Sequence, residues 1–227
     1  MGNIVPRSAA ADTIIEHYDS ALAKARAREE LVRAPAEVRL GSLEPAIRLV
    51  QTTLQGAESA ADAATAKLLA SDLDSDNAIG ATLDEIWNAL GRPAQSIDYS
   101  LIAGTGKAQW TDGDPIEQHL LMKVLATNIR ATNAPTLQQT KETWAARIEA
   151  KAAAQEAAST ETRGADVTVF AARAQQRGLA NLAQVAISRL KRDYKNLGLT
   201  ESQIHEIIPD YQSRRRAKLP TPPAPPT

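Results

Sequence analysis

The sequence predicts an all-α fold, an elongated bundle of about six to seven helices, and three observations carry that expectation. Alanine supplies 43 of the 227 residues, and with Leu, Glu, Gln, Lys and Arg it fills the long segments with the strongest helix formers. Apolar residues recur at spacings of three and four through most of the chain. Strand signals are nearly absent: β-branched residues are scattered, and the one alternating stretch, ADVTVF at 165–170, sits inside a helical period.

The first helix is expected over residues 11–33, with Ile14, Ile15, Tyr18, Leu22 and Ala25 forming one apolar stripe. Ala34-Pro35 interrupts it, because proline disfavours the α conformation in the residue before it. A second helix begins near Ser42, a good N-cap, with Pro45 in its first turn. Its stripe, Ile47, Val50, Leu54, Ala57, Ala61, Ala64 and Leu68, lasts to about residue 70. The small residues in its second half let a neighbouring helix come close.

The polar run SDLDSDN (71–77) reads as a break before a short helix over 78–90, closed by Gly91 in the left-handed C-terminal position. Residues 91–114 lack a clear period but carry Tyr99, Leu101, Ile102 and Trp110, so they are expected as one packed, ordered loop. Asp114-Pro115-Ile116-Glu117 opens the next helix as a capping box, running to about residue 132 before Ala134-Pro135. Two more helices follow over 137–159 and 165–196, both rich in alanine, with a kink or break expected at Gly178. Gly198 stops the second, and Thr200-Glu201-Ser202-Gln203 caps a last short helix ending at Pro209. The expected organisation is an N-terminal helix or arm (1–34), a helical bundle with long antiparallel Ala-rich helices (35–209), and a basic, Pro-rich flexible tail (210–227).

Composition narrows the function classes. Cysteine is absent, which removes disulfides, thiolate metal sites and cysteine nucleophiles. No apolar run approaches the length of a transmembrane helix, and the start MGNIVPRSAAAD has no signal-peptide core. A soluble, cytoplasmic chain is the expectation, with export by a signal-less route left open. Charge is uneven: residues 1–162 carry 15 basic and 22 acidic side chains, residues 163–227 carry 11 and 5. Such a chain can attract copies of itself or offer a basic face to an anionic partner.

The candidate motifs are fragments. Asp72, Asp74 and Asp76 match the start of an EF-hand loop, but Asn77 and Leu83 stand where glycine and the bidentate glutamate are needed. A solvated helix connection is the simpler account. Gly104-Thr105-Gly106-Lys107 resembles part of a phosphate-binding loop, with Leu101 in place of its first glycine and Ala108 in place of its hydroxyl. Trp110, Asp112, Asp114 and His119 come close in sequence, and carboxylates with an imidazole could take a ligand or a divalent cation. His17, His119 and His205 are far apart and fit no metal or di-iron spacing. Arg214, Arg215, Arg216 and Lys218 form a basic run that could hold phosphates weakly.

These observations favour a structural or interaction protein without catalysis or cofactor, a helical bundle or coiled coil that self-associates or scaffolds a helical protein partner. Narrow alanine stripes bury little area alone and gain from neighbours. Two alternatives stay open: a small-ligand or metal-binding protein or enzyme using the 110–119 segment, and an anion-binding adapter using the basic C-terminal region.

Overall fold

Alanine-rich amphipathic sequence becomes helix wherever a second surface covers its stripe, and the computed structural model, which describes residues 4–211, is built that way. The described residues form eight α-helices and two 3₁₀ turns, with no strand. The α-helices are α1 (Ala11–Arg26), α2 (Glu30–Arg39), α3 (Glu44–Ala89), α4 (Ile97–Ala103), α5 (Ala108–Thr111), α6 (Gln118–Ala131), α7 (Lys141–Asn196) and α8 (Glu201–Ile207). None is long and apolar enough to cross a membrane.

The described residues divide into two units: 4–53 with 173–211, and Leu54–Ala172. Both α3 and α7 contribute residues to each. In the first unit, Ile14, Ile15, Tyr18 and Leu22 of α1 share a core with Ile187, Leu190 and Tyr194 of α7 and with Ile204 and Ile207 of α8. Its two buried phenols find backbone acceptors: Tyr18 donates to the Leu40 carbonyl at 2.8 Å and Tyr194 to the Val32 carbonyl at 2.9 Å. Burial pushes both phenol pKa values up to about 12. The break in the N-terminal helix comes at residues 27–29, not at Ala34-Pro35. Pro35 lies inside α2, where the cost of its missing N–H is met by packing of Val32 and Ala36. Thr200 and Gln203 form the expected capping box of α8. Gly198, at φ +84°, closes α7 with the paired turn bonds Leu199 N–H to Tyr194 and Gly198 N–H to Lys195.

In the second unit, Ile79, Leu83 and Ile86 of α3, Met122, Leu125 and Ile129 of α6, and Trp144 and Ile148 of α7 form the core. Residues 91–114 are ordered as expected, but they hold two short helices, α4 and α5. The α6 helix begins at Gln118, three residues beyond Pro115; Asp114 Oδ1 instead accepts the Ile116 N–H at 2.9 Å in a preceding turn.

Two expected breaks do not occur. The run 71–77 is helical within α3, and 160–164 is helical within α7. The cross-pairs Ala64 with Thr162, Lys67 with Glu161, Asp72 with Gln155 and Asp74 with Lys151 show the two helices antiparallel here. Ser and Asp cost a helix only a few tenths of a kcal/mol each relative to alanine, so partners on the facing helix outweigh the local polar signal. On α3 the buried and half-buried positions include Leu54, Ala57, Ala61, Ala64, Leu68, Ser71 and Ser75. On α7 they include Gln155, Ala158, Thr162, Ala165, Val169 and Ala172. Both rows alternate steps of three and four, and Ala57, Ala64, Leu68, Ala158 and Ala172 lie outside both larger cores. Helix α7 also continues through Gly178.

Candidate functional site

Because α3 does not break at 71–77, Asp72 and Asp76 stand one turn apart on one face, while Asp74 turns away to pair with Lys151. Asp72 and Asp76 are half-buried. Across from them runs the segment between α4 and α6. Lys107 of that segment lies over Gly80, so close that a Cβ on residue 80 would collide with its ammonium. Its charge partly offsets that of Asp76.

Two fully buried glutamines tie this face together. Gln118, the first residue of α6, donates its amide to the Trp110 carbonyl and, at 3.3 Å, to Asp76 Oδ1. Gln155 of α7 donates to the Pro115 carbonyl at 2.7 Å and to Asp72 Oδ1 at 3.4 Å. Ser159, one turn further on, donates to the Ile116 carbonyl at 2.8 Å. The 110–116 backbone is therefore fastened to α7 and α6 by side chains, which explains its order despite the lack of a sequence period.

Electrostatics at this face are unfavourable to charge. Burial first, then the Asp114 charge, pushes the Asp72 carboxyl above its ordinary value. Burial, Asp72 and Asp112 do the same to Asp76, against the opposing pull of Lys107. Four carboxylates thus act on one another here: Asp72 and Asp76 from a helix, Asp112 and Asp114 from the turn between α5 and α6.

Of the four residues singled out in the sequence, Asp112 and Asp114 belong to this cluster, both exposed. Trp110 contributes its backbone carbonyl; its indole is buried in the core and donates to the Ala103 carbonyl at 2.9 Å. His119 is buried on the neighbouring position of α6. Its charged neighbour is Glu156, which Lys123 at 2.8 Å and, to a smaller degree, His119 hold below the ordinary carboxylate range. Among the described residues, no group of three or more His, Asp or Glu is placed to hold a metal by itself. The basic run Arg214, Arg215, Arg216 and Lys218, and the proline-rich segment after it, lie outside the described residues. Gln118 and Gln155 have no sequence motif; only their place at buried helical positions beside Asp72 and Asp76 marks them.

Compared with known protein families, curated proteins and solved structures, the chain matches none.

Proposed function

We propose that this chain is a non-catalytic interaction protein, which associates with a second copy or a helical partner chain through the antiparallel pair of helices in residues 54–75 and 155–172. The observation that carries this reading is the form of that pair. Its buried positions follow a three-four alternation, the spacing of a coiled-coil seam, and most of them are Ala, Ser or Thr. Such a seam lets two backbones approach closely but removes little apolar area from water, so further coverage is favourable.

The outer faces supply that coverage with apolar side chains. Phe170, the chain's single phenylalanine, is 77% exposed, Val167 is 69% exposed and Leu73 is 64% exposed. Val167 and Phe170 are three apart on α7, and Leu69 and Leu73 four apart on α3, so each pair shares a face. Paired apolar residues on an outer helix face are the form in which helix-in-groove and coiled-coil partners are recognised.

Sedimentation equilibrium of the full chain over a wide concentration range tests the proposal. A reversible rise in mass, abolished by Val167→Glu with Phe170→Glu while the helical circular dichroism is kept, is the expected result. A strict monomer at every concentration that also captures no helical peptide carrying the sequence of residues 155–172 would overturn it.

A further inference from the structure

We propose that the groove between the end of α3 and α4 binds the basic, proline-rich segment of a second copy of this chain, residues 214–226, in an extended polyproline conformation.

A turn builds the groove. Helix α3 ends at Ala89, and Gly91 and Arg92 both take the left-handed backbone, at φ +83° and +54°. The Arg92 N–H donates to the Trp87 carbonyl at 3.0 Å and closes the helix. Pro93 follows, and Ser96 caps α4 by accepting the Tyr99 N–H at 3.2 Å. The two helix ends leave an open cavity of about 820 Å³, whose lining includes Trp87, Pro93, Gln95, Ile97, Tyr99 and Leu101. Its apolar groups face water: Ile97 is 81% exposed, Leu101 71% and Trp87 39%. Ile97 and Leu101 stand one turn apart on α4 and form one wall. At the other, the Arg92 guanidinium lies 6.0 Å from the centre of the Trp87 ring, steadied by its bond to Asn88 Oδ1 at 2.6 Å.

The chemistry of the lining selects the occupant. A proline offers a flat apolar ring and a carbonyl acceptor but no N–H, so its seat needs aromatic faces and hydrogen-bond donors. Both are here. The Trp87 indole N–H holds the Pro93 carbonyl only at 3.3 Å, long for such a bond. The Tyr99 hydroxyl and the Gln95 amide donate to no other described residue. Aromatic-lined grooves of this kind take polyproline segments, whose preset backbone loses little entropy on docking.

Residues 214–226 carry prolines at 220, 222, 223, 225 and 226, basic side chains at Arg214, Arg215, Arg216 and Lys218, and no acid. Charge is complementary, since residues 54–172 hold 9 basic and 16 acidic side chains. Beside the groove, Asp84 acts on Tyr99, whose phenol burial first and then this charge push above its ordinary value. Asp98 lies in the first turn of α4. Neither aspartate has an ion-pair partner among the described residues, and the cation at the rim is Arg92. The groove shares no residue with the association surface proposed above.

The test keeps the full chain dilute and titrates it with a synthetic peptide of residues 212–227, which contains no aromatic residue, while tryptophan fluorescence is followed. The expected result is a saturable change at one peptide per chain. Ile97→Ser with Leu101→Ser, at exposed positions and with helical circular dichroism retained, should weaken binding about tenfold or more. A peptide with its five prolines replaced by alanine should lose as much. Asp84→Asn should cause a smaller loss and flatten the salt dependence. Val167→Glu with Phe170→Glu should leave peptide binding unchanged, which separates this site from the association surface. Absence of saturable binding, equal affinity of the alanine peptide, or unchanged affinity of the Ile97 and Leu101 variant would each overturn the proposal. So would equal affinity of a peptide of residues 219–227 without the basic run, which would point to the proline segment of a different partner.

Discussion

Replacing Ala64 by leucine probes how closely α3 and α7 approach. Ala64 is 4% exposed, and its carbonyl lies 3.2 Å from the Thr162 hydroxyl of the facing helix, whose single hydrogen it shares with the Ala158 carbonyl at 3.0 Å, so the two backbones come close at this turn between small side chains. Leucine adds three carbon atoms there. Overpacking of a filled site costs about 1–3 kcal/mol, while the Thr162 hydroxyl keeps the Ala158 carbonyl as acceptor if its contact with Ala64 is lost. Intrinsic propensity cannot account for a loss of this size, because Ala and Leu differ by only a few tenths of a kcal/mol in a helix. Ala63→Leu is the control: the adjacent position is exposed, and its effect should stay within about 0.5 kcal/mol. Urea unfolding followed by circular dichroism reads the difference, and for a slope near 2 kcal/mol/M the Ala64 midpoint should fall by about 1 M. Equal midpoints for the two variants would mean that the helices do not meet at residue 64, and the closeness argument would fail.

Other outcomes follow from single contacts. Tyr194→Phe removes the phenol bond to Val32 from the core of the first unit and should cost about 1 kcal/mol in chemical denaturation. Thr200→Ala removes the cap of α8 and should cost about 1 kcal/mol, seen also as faster amide exchange over residues 201–207. Burial, then the Lys24 charge, holds the His17 pKa below 6.5 in the folded chain, against a smaller upward pull from Asp210. The unfolded chain then binds the proton first, so stability is full above about pH 6.5 and falls as pH drops through that value; His17→Gln should flatten this slope in urea titrations at successive pH values. The raised Asp72 and Asp76 carboxyls act in the opposite sense. Their penalty is absent below the unfolded carboxyl range, sets in as pH rises above it and is complete above the raised folded values, so Asp76→Asn should melt higher than the parent at neutral pH.

Much of the fold was legible in particular residues. The stripe Ile14, Tyr18, Leu22 and the stops at Gly91 and Gly198 lie where local pattern placed them. The joints were harder to read, because distant residues decide them. Asp72, Asp74 and Asp76 look like a break, yet Gln155, Lys151 and Gln118 each meet one of them and keep the helix whole. Nothing in the residues at 27–29 announces a turn; it serves to bring Leu40 and Val32 within reach of Tyr18 and Tyr194. At the candidate site, Asp112 and Asp114 were visible as acids in a turn. Gln118 and Gln155 were not, since a glutamine in a helix acquires meaning only from what faces it. Sequence distance grouped His119 with the aspartates, but one step along a helix rotates a side chain by about 100°, and the carboxylate it acts on is Glu156.

The division of the chain has a consequence for its birth on the ribosome. Residues 54–172 are continuous, so every part of the second unit has been made before the last stretch of the first. The first unit is assembled from segments on either side of the second: Val32, Ala36 and Leu40 cover part of α1 early, but Ile14, Tyr18 and Leu22 must wait for Ile187, Leu190 and Tyr194 before their core is complete. During that interval part of the apolar flank of α1 stays uncovered, the kind of surface that chaperones hold and that misassembles when crowded. Slowing synthesis of residues 54–172 would prolong the wait, whereas a circular permutation opened near residue 54, which sets the two parts of the first unit next to each other in the chain, would shorten it.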